Sequence, residues 1–325
     1  MSRDRGASST RDLVCAVDLG GTNLRAANID REGRIHDRAR LNTPKTNNPE
    51  EVVSAIASVV TRCEAQAAAR DAVFESICVV VPGSVQFETG LTVNAPNVPA
   101  IVNFNLGDAL RTRLQRSVLI ENDANAAALG EMWQGAARGC GTIVCLTLGT
   151  GVGSGIILNG ELWRGVDGTA GEFGHTSVDP FGSVQCKCGN IGCLEVCASA
   201  TAIVRMAREG MTAFPESALQ EINGELSAAA IARPAGDGDE FAVGLFKRAG
   251  VYLGIAAANI VNTLNPEMIV VGGGVSEAFD LFASTMREEM LRRAFPVPAQ
   301  RCQIVKAQCG DDAGLLGAAL LSMQN

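Results

Sequence analysis

The chain has 325 residues, of which 47% are apolar and 4% aromatic, and its formal net charge is −8. This length can bury a substantial aliphatic core in one large domain or two, and the negative charge argues against non-specific binding to nucleic acid. Eleven cysteines, an odd number and mostly scattered, indicate reduced thiols in a cytoplasmic protein rather than a disulfide framework.

The first elements form a strand, a glycine turn and a return strand. Residues 1–11 are polar, lack the apolar segment of a secretory signal, and are predicted to be a disordered tail. The pattern then predicts a buried strand at 13–17, a turn at 18–22, a return strand at 24–29, a helix at 50–70, strands at 76–81 and 117–120, and a helix at 123–133. This last helix begins directly after a strand.

A second strand–turn–strand unit lies near mid-chain. It comprises a strand at 143–148, a glycine turn at 149–153 and a return strand at 155–158, followed by the hairpin signal Asn159-Gly160. Further predicted elements are a mainly helical stretch at 199–250 with a loop at 234–239, a strand at 268–271, helices at 278–294 and 313–323, and an edge strand at 303–305. The apolar run 249–261 is too short to span a bilayer, so no membrane association is expected. Alternating strands and helices indicate an α/β fold, and the two similar units suggest a duplicated architecture.

Three thiols and one imidazole are concentrated in a short segment after the second unit. The candidate ligands are Cys186, Cys188, Cys193 and, eleven residues before the first of these, His175. Such a set is typical of a closed tetrahedral zinc site, and two glycines allow so short a loop to fold around an ion. The alternatives are a cluster of reduced, partly buried cysteines, or an all-cysteine site in which Cys197 replaces the histidine. Glu172 and Glu195 flank the cluster, so a metal there would hold polar side chains in place.

Both glycine turns are candidate phosphate sites, because missing β-carbons let backbone N–H groups approach phosphate oxygens. The residues proposed for this contact are Gly20, Gly21, Thr22, Thr150 and Gly151. Asp18, at the end of its strand, is placed to hold Mg²⁺ through water. Gly273 and Gly274 follow a buried strand and suit close packing on a nucleotide. Each feature alone could be an ordinary tight turn, but three together favour nucleotide binding. No G-x-x-x-x-G-K-[ST] motif is present.

Asp123 is the candidate catalytic residue. It follows a predicted strand and falls in the first turn of a helix, where the helix dipole favours an ionised carboxylate that can accept a proton. Asn122 beside it can exchange hydrogen bonds with a polyol. Phosphoryl transfer needs positioning, charge neutralisation and a group that receives the acceptor proton. A helix N-cap explains an aspartate here equally well without any chemistry.

Five motifs in this order resemble the ROK family (repressors, open reading frames and kinases), which contains bacterial sugar kinases. The motifs are Asp18-Leu19-Gly20-Gly21-Thr22, Glu121-Asn122-Asp123-Ala124-Asn125, Gly149-Thr150-Gly151-Val152-Gly153, Glu172-Phe173-Gly174-His175 and the segment from Cys186 to Glu195. The resemblance runs from about residue 13 to the end of the chain, and the cysteine segment is its most specific part.

The resemblance implies an actin-like ATPase (ribonuclease H-like) fold with two α/β lobes around a central cleft. The small lobe would comprise 12–120 and 309–325, and the large lobe, with the zinc-binding loop, 121–308. ATP with Mg²⁺ would be the donor and a hexose the acceptor, zinc would be structural, and the chain would form a homodimer.

By position, the resemblance makes Asp123 the base that takes the proton from the sugar hydroxyl. The residues implied to bind or line the sugar are Gly83, Asn122, Glu172, His175 and Glu195. His175 would use one ring nitrogen for zinc and the other for the sugar. Cys186, Cys188 and Cys193 would complete the metal site, because Cys197 has no counterpart in the family pattern.

The motif details resemble the glucokinase branch most, which implies ATP-dependent phosphorylation of glucose at its 6-hydroxyl. N-acetylmannosamine and N-acetylglucosamine kinases share every motif and are the enzyme alternative. A non-catalytic sugar sensor is the alternative from another class, and Asp123 and both phosphate turns argue against it. Repressors of the family place a winged helix-turn-helix before the first glycine turn. Only seventeen residues without a helical pattern precede Asp18 here, so DNA binding is not expected.

Overall fold

The computed structural model describes residues 12–222 and 224–325, and the predicted tail at 1–11 lies outside these residues. The strands are β1 (Asp12–Leu19), β2 (Asn23–Ile29), β3 (Ile35–Asn42), β4 (Val73–Val81), β5 (Val85–Gln86), β6 (Leu91–Thr92), β7 (Phe104–Asn105), β8 (Val118–Asn122), β9 (Ile143–Leu148), β10 (Val152–Leu158), β11 (Glu161–Leu162), β12 (Met268–Gly272) and β13 (Gln303–Lys306). The α-helices are α1 (Pro49–Ala68), α2 (Leu106–Leu114), α3 (Asp123–Gln134), α4 (Leu194–Ala198), α5 (Ala200–Gly210), α6 (Ala228–Gly236), α7 (Glu240–Leu264), α8 (Phe279–Arg293), α9 (Pro296–Arg301) and α10 (Ala313–Gln324).

The chain divides into two compact units. The first contains the described residues up to Gln134, together with Gly165–Thr169 and Asp312–Asn325, and the second contains Gly135–Arg164 and Ala170–Asp311. The expected boundary at residue 120 differs from this division, because α3 packs closely against α10 and therefore belongs to the first unit. Helix contact of this kind depends on the fold and is not visible in the local sequence.

The first unit is built on a five-stranded sheet with the order β3-β2-β1-β4-β8. The chain turns back at the first glycine turn, so β1, β2 and β3 are antiparallel, whereas β1, β4 and β8 are parallel. Leu13, Cys15 and Val17 of β1 share a buried core with Val52 and Ile56 of α1. Because side chains alternate across a strand, the intervening residues of β1 face the opposite side, where α10 packs.

The second unit repeats this topology. Its sheet has the order β11-β10-β9-β12-β13, again with two antiparallel pairs followed by two parallel pairs. Asn159 and Gly160 both have positive φ, which is the conformation of a two-residue hairpin turn between β10 and β11. The predicted duplication, this hairpin and the edge position of β13 are thereby confirmed.

Helices α4 to α9 cover the second sheet, and α7 runs through their core. Phe246, Leu253 and Ile260 of α7 are fully buried. By length and composition, α7 is the one helix among the described residues that could cross a membrane, and 61% of its most apolar window is buried inside the protein. The helix is longer than the predicted apolar run 249–261, because it continues over Glu240–Leu264.

Three local predictions were wrong or incomplete. Pro234 lies within the last turn of α6 rather than in a loop, and the turn begins only at Asp237. Strand β3 was not predicted, because the charged residues Asp37, Arg38 and Arg40 interrupt the apolar alternation expected of a strand. Helix α2 and the small sheet of β5, β6 and β7 were also missed, since short elements carry little periodicity.

Candidate functional site

Four candidate residues of the first unit lie where its parallel strands end. Asp18 is near the end of β1, Gly83 follows the end of β4, Asn122 is the last residue of β8, and Asp123 is the first residue of α3. The carboxyl ends of parallel strands meet at one edge of a sheet, which is where open α/β sheets bind ligands. The structure therefore brings these residues together.

The carboxylate of Asp123 lies in surroundings that favour its protonated form. Burial raises the pKa of Asp123 to about 6, repulsion from Asp18 acts in the same direction, and hydrogen bonds from the backbone N–H of Ala124 and from Asn122 oppose them. Both of these bonds reach Oδ1, at 2.8 and 3.2 Å. The residue keeps exposed surface although protein atoms surround it, so a substrate can reach it. A carboxylate with a pKa near neutrality is suited to accept a proton.

Asn122, rather than Asp123, provides the N-cap of α3. Its Oδ1 accepts a hydrogen bond from the backbone N–H of Asn125 at 2.9 Å. Its Nδ2 donates to the carbonyl oxygen of Gly83 at 2.8 Å and to Asp123 Oδ1 at 3.2 Å. The side-chain amide of Asn122 therefore joins the ends of β4 and β8 to the start of α3 and helps to orient the candidate base.

Gly83 occupies a position that accepts only glycine without rearrangement. Its φ of +119° is unfavourable for other residues, and an added β-carbon would collide with the carbonyl oxygen of Asn94. The chain after β4 thus passes close to the segment at Asn94 and Ala95. The carbonyl oxygen of Gly83, which is predicted to line the sugar site, accepts the hydrogen bond from Asn122.

The first glycine turn contains two backbone N–H groups that are available to a ligand. The carbonyl oxygens of Gly20 and Gly21 accept hydrogen bonds from Thr43 Oγ1 and Lys45 Nζ, at 2.6 and 2.7 Å. Within residues 12–222 and 224–325, the N–H groups of Gly21 and Thr22 have no hydrogen-bond acceptor. Two neighbouring amides of this kind can bind phosphate oxygens.

Asp18 forms an ion pair with Arg25, the residue opposite it on β2. Its side chain is 15% exposed. An aspartate oxygen at this edge is the type of ligand that Mg²⁺ prefers, so the residue fits the predicted role, with the guanidinium of Arg25 balancing its charge.

The second glycine turn is fastened to the start of α5. Ala200 donates its N–H to the carbonyl oxygen of Gly149 at 2.9 Å, and Thr201 Oγ1 donates to that of Thr150 at 2.8 Å. The N–H groups of Thr150 and Gly151 have no acceptor among the residues that the structure describes. This turn repeats the arrangement of the first, as the duplicated topology requires.

A cavity of about 480 Å³, which no sequence pattern indicated, opens beside this turn. Thr150 lines it at the turn, and the rest of its wall comes from α5, the start of α6 and the segment before α6. The lining residues are Thr150, Ala200, Thr201, Val204, Arg205, Arg208, Glu209, Glu225, Leu226, Ser227 and Ala228. This mixed polar and apolar wall suits a nucleoside, and the neighbouring N–H groups of Thr150 and Gly151 suit the phosphates attached to it.

Gly273 and Gly274 do not line this cavity. Gly273 has a φ of +80°, and an added β-carbon would lie 2.7 Å from the backbone nitrogen of Leu148. This glycine lets the chain after β12 pass close to the end of β9. The predicted contact of the two glycines with a nucleotide stays a prediction.

The four predicted ligand atoms of the cysteine segment come together within 4.8 Å of one another. Cys186 Sγ lies 3.6 Å from His175 Nδ1, and Cys188 Sγ lies 3.6 Å from Cys193 Sγ. Two sulfurs on a tetrahedral zinc ion are roughly 3.8 Å apart, since each Zn–S bond is about 2.3 Å. Cys197 is buried on α4 and does not belong to the cluster. The donor set and its spacing fit zinc.

Two carboxylates border this cluster. His175 turns Nδ1 towards the thiols, and its Nε2 lies 3.9 Å from Glu172 Oε2. Glu195 Oε1 lies 3.9 Å from Cys186 Sγ, and its Oε2 accepts a hydrogen bond from the N–H of Val152 at 3.1 Å. A metal in this loop would therefore fix the histidine ring and leave its second nitrogen beside Glu172.

A profile of the ROK family matches residues 14–325. The chain belongs to the ROK family. A glucokinase of Halalkalibacterium halodurans is 38% identical over 95% of this chain and 94% of its own length, and an N-acetylmannosamine kinase of Escherichia fergusonii is 35% identical over 94% and 97%. The crystal structure of a ROK glucokinase from Streptomyces griseus, in complex with glucose and AMPPNP, has a TM-score of 0.82 at 35% identity and covers 96% of this chain and 100% of that one.

These similarities confirm the predicted family and the actin-like ATPase fold. The two repeated sheets are the structural basis of that fold in this chain. Among the predicted site residues of the second unit, Thr150 and Gly151 lie in its glycine turn, Glu172 and His175 lie at a short 3₁₀ helix, and Glu195 lies on α4.

Gly151 offers a test of the contact between the second turn and Glu195. An added β-carbon would overlap Glu195 Oε2, so Gly151→Ala should displace the carboxylate from the N–H of Val152. We expect the free energy of unfolding to fall by about 1–3 kcal/mol, because a hydrogen bond to a charged group is lost. Gly149→Ala is the matched control, since its β-carbon meets no atom within 4 Å and should change stability by no more than about 0.5 kcal/mol. Equal denaturation midpoints for the two variants would contradict the proposed packing.

Proposed function

We propose that this chain is an ATP-dependent glucokinase that transfers the γ-phosphoryl group of ATP to the 6-hydroxyl of glucose. The observation that carries the proposal is Asp123, an accessible carboxylate with a pKa raised to about 6 at the first residue of α3. The similarity to glucokinases over nearly the whole chain supports the same conclusion.

The reaction follows from the groups of the first unit. Asp123 accepts the proton of the 6-hydroxyl as the sugar oxygen bonds to the γ-phosphorus, and the bond between that phosphorus and the bridging oxygen of ADP breaks. Asn122 holds the acceptor carboxylate through Oδ1 and leaves Oδ2 for the proton. The N–H groups of Gly21 and Thr22 bind phosphate oxygens, and Asp18 holds Mg²⁺, which neutralises phosphate charge when bound.

The groups of the second unit provide further ligands. Thr150 and Gly151 bind phosphate through their N–H groups, and the adjoining cavity takes the nucleoside. Glu172, His175 and Glu195 are proposed to hydrogen-bond the hexose. Carboxylates suit the hydroxyl groups of a sugar because they accept hydrogen bonds from them, and a neutral imidazole can donate from one ring nitrogen or accept at the other.

We also propose that the cysteine cluster holds zinc. His175 Nδ1 and the sulfurs of Cys186, Cys188 and Cys193 would be its ligands. Zinc bound there would fix the tautomer and direction of the histidine ring. The chain's own contribution is the short loop, in which Cys186 N–H donates to the carbonyl oxygen of Asn190 at 2.8 Å and Gly189 N–H to that of Cys186 at 3.0 Å.

Turnover across a panel of hexoses tests the proposed substrate. With ATP and Mg²⁺, ADP release should be fastest with glucose and slower with N-acetylmannosamine and N-acetylglucosamine. The N-acetyl sugars differ at carbon 2, so the comparison separates the glucokinase from the alternative kinases. Turnover with an N-acetyl sugar but none with glucose would contradict the proposed substrate. No turnover with any hexose would contradict the proposal that the protein is a sugar kinase.

The acid limb of the pH profile reports the ionisation of Asp123. A general base must be ionised, and the pKa of Asp123 is raised to about 6, so kcat/KM for glucose should fall tenfold per pH unit below about pH 6 and level off above it. An aspartate with its ordinary pKa of about 3.9 would keep nearly full activity down to about pH 5. Initial rates of ADP release between about pH 5 and 8.5, at constant ionic strength, measure this. A flat profile down to about pH 5 would show that the carboxylate is not the base.

Two further properties are proposed from the family. A cytoplasmic location suits an enzyme that consumes ATP and carries reduced thiols. A homodimer is expected, and light scattering on the purified protein would show a mass of twice 33.8 kDa. A mass of one chain across the working concentration range would contradict it.

A further inference from the structure

Two members of the catalytic motif remain without a role. Glu121 precedes Asn122, and Asn125 lies in the first turn of α3. Their exposed fractions are 2% and 3%, so neither can bind a substrate directly. A carboxylate is rarely buried unless its hydrogen bonds are satisfied, which raises the question of what this one holds in place.

The carboxylate of Glu121 binds two donors at the point where β8 becomes α3. Its Oε1 accepts the backbone N–H of Asn122 at 2.8 Å and Asn125 Nδ2 at 2.9 Å. The side-chain amide of Asn125 therefore turns its nitrogen, which is its donor atom, towards Glu121. Asn125 is also held from the other side, because its backbone N–H donates to Asn122 Oδ1 at 2.9 Å.

These bonds form a closed ring around the residue before the candidate base. We propose that Glu121 and Asn125 are positioning residues, which act through Asn122 to fix the direction of the Asp123 carboxylate. The proposal rests on the proposed kinase function. Asp123 receives its hydrogen bonds from Asn122 Nδ2 and from the N–H of Ala124, and both donors move if the start of α3 moves.

The substitution Glu121→Ala measures the effect on turnover. Glu121→Ala removes the acceptor of Asn122 N–H and of Asn125 Nδ2, and kcat should fall about 100-fold, because a displacement of about 1 Å at a reacting group has effects of this size. The KM for ATP should stay within about twofold, since nucleotide contacts lie elsewhere. Loss of the fixed donors to Asp123 should also move the acid limb of kcat/KM to higher pH. A purely structural role would lower the melting temperature without moving that limb.

A paired exchange tests the contact itself. Asn125→Asp places a second carboxylate against Glu121 in buried surroundings, and kcat should fall at least about tenfold. When Glu121→Gln is combined with Asn125→Asp, the introduced glutamine can accept from Asn122 N–H and donate to the introduced carboxylate. The kcat of this double variant should therefore be higher than that of Asn125→Asp and lie within about threefold of the kcat of Glu121→Gln alone.

The control is Glu131→Gln, because Glu131 is a fully buried carboxylate further along the same helix. It should leave kcat and the acid limb unchanged. The proposal is overturned if Glu121→Ala lowers kcat no more than Glu131→Gln does. It is also overturned if the increases in activation free energy caused by Glu121→Gln and by Asn125→Asp simply add in the double variant. If Glu121→Ala does not fold, the paired exchange decides. Absence of glucose turnover by the wild-type protein would instead contradict the proposed function.

Discussion

Replacing Asp123 with asparagine should lower kcat for glucose phosphorylation by about 10³-fold, since general base catalysis contributes about 10²- to 10⁴-fold. The substitution keeps the shape of the side chain and the Oδ1 acceptor for the N–H groups of Ala124 and Asn122. It removes the ability to take a proton. Glucose affinity, measured by calorimetry without nucleotide, should therefore stay within about threefold of the wild-type value.

Asp123→Asn should lower kcat but raise the stability of the folded protein above about pH 6. Because burial raises the pKa of Asp123 to about 6, the folded state favours the protonated carboxyl, and the contribution of Asp123 to stability falls as the pH rises from about 4 to 6. The asparagine side chain of the variant carries no charge at any pH. Asp123→Asn should therefore melt at a higher temperature than the wild type at about pH 8, by an amount that disappears near pH 4. The effect is modest, since the residue is partly exposed and solvent screens its charge.

Asp108→Asn provides the control for this pair of measurements. Asp108 is also a first-turn carboxylate, on α2 of the same unit, and its side chain is 67% exposed in an ion pair with Arg111. It should change neither kcat nor the pH dependence of stability beyond experimental error. An Asp123→Asn enzyme that keeps more than a tenth of wild-type kcat would rule out the assigned base.

The part of this site that could be predicted from the sequence is local. Glycine turns, the hairpin at Asn159 and Gly160, and a carboxylate directly after a strand each depend on the conformational preferences of a few neighbouring residues. The cysteine loop is similar, because Gly189 and Gly192 both have the positive φ that a tight loop requires. Short-range rules therefore indicated Asp123 and the cysteine loop as candidates, and the family resemblance chose between the alternatives that these rules left open.

The remainder depends on contacts between distant segments. The cavity beside Thr150 needs α5 and the start of α6 to lie together, and nothing in either segment alone indicates this. The approach of Gly83 to Asn94 and the packing of α3 on α10 have the same origin. The sequence predicted the start of α3 at Asp123 correctly but did not decide its N-cap, because Asn122 and Asp123 are both good caps and only the end of β8 decides between them.

Removal of zinc should have the second large effect. Purified protein should contain about one zinc per chain, and Cys193→Ser should reduce this to below about a tenth, because Cys193 is fully buried and contributes one of four ligand atoms. Structural zinc sites contribute directly to folding free energy, with apparent values of about 10–16 kcal/mol in small zinc peptides. In this larger chain, part of the loop is also held by backbone bonds such as Leu194 N–H to the carbonyl oxygen of Thr176. We expect a fall in melting temperature of about 10 °C or more.

Sugar affinity should fall together with stability. Without the metal, His175 loses the contact that fixes its Nδ1, and the direction of Nε2 beside Glu172 is no longer set. The KM for glucose should rise about 10- to 100-fold, the range typical when the support of a metal-site residue is removed. The KM for ATP should change less, because the turn at Thr150 and Gly151 is held by α5.

Cys197→Ser separates a metal effect from the general cost of changing a buried cysteine. Cys197 is buried on α4 only four residues beyond Cys193, but it lies outside the cluster. This variant should keep its zinc and its KM for glucose. Chelation of the wild-type protein should reproduce the Cys193→Ser phenotype, and added zinc should reverse it. If the wild-type protein purifies without zinc and the chelator changes neither melting temperature nor KM, then the three cysteines form a reduced thiol cluster, and His175 must be oriented by its protein contacts alone.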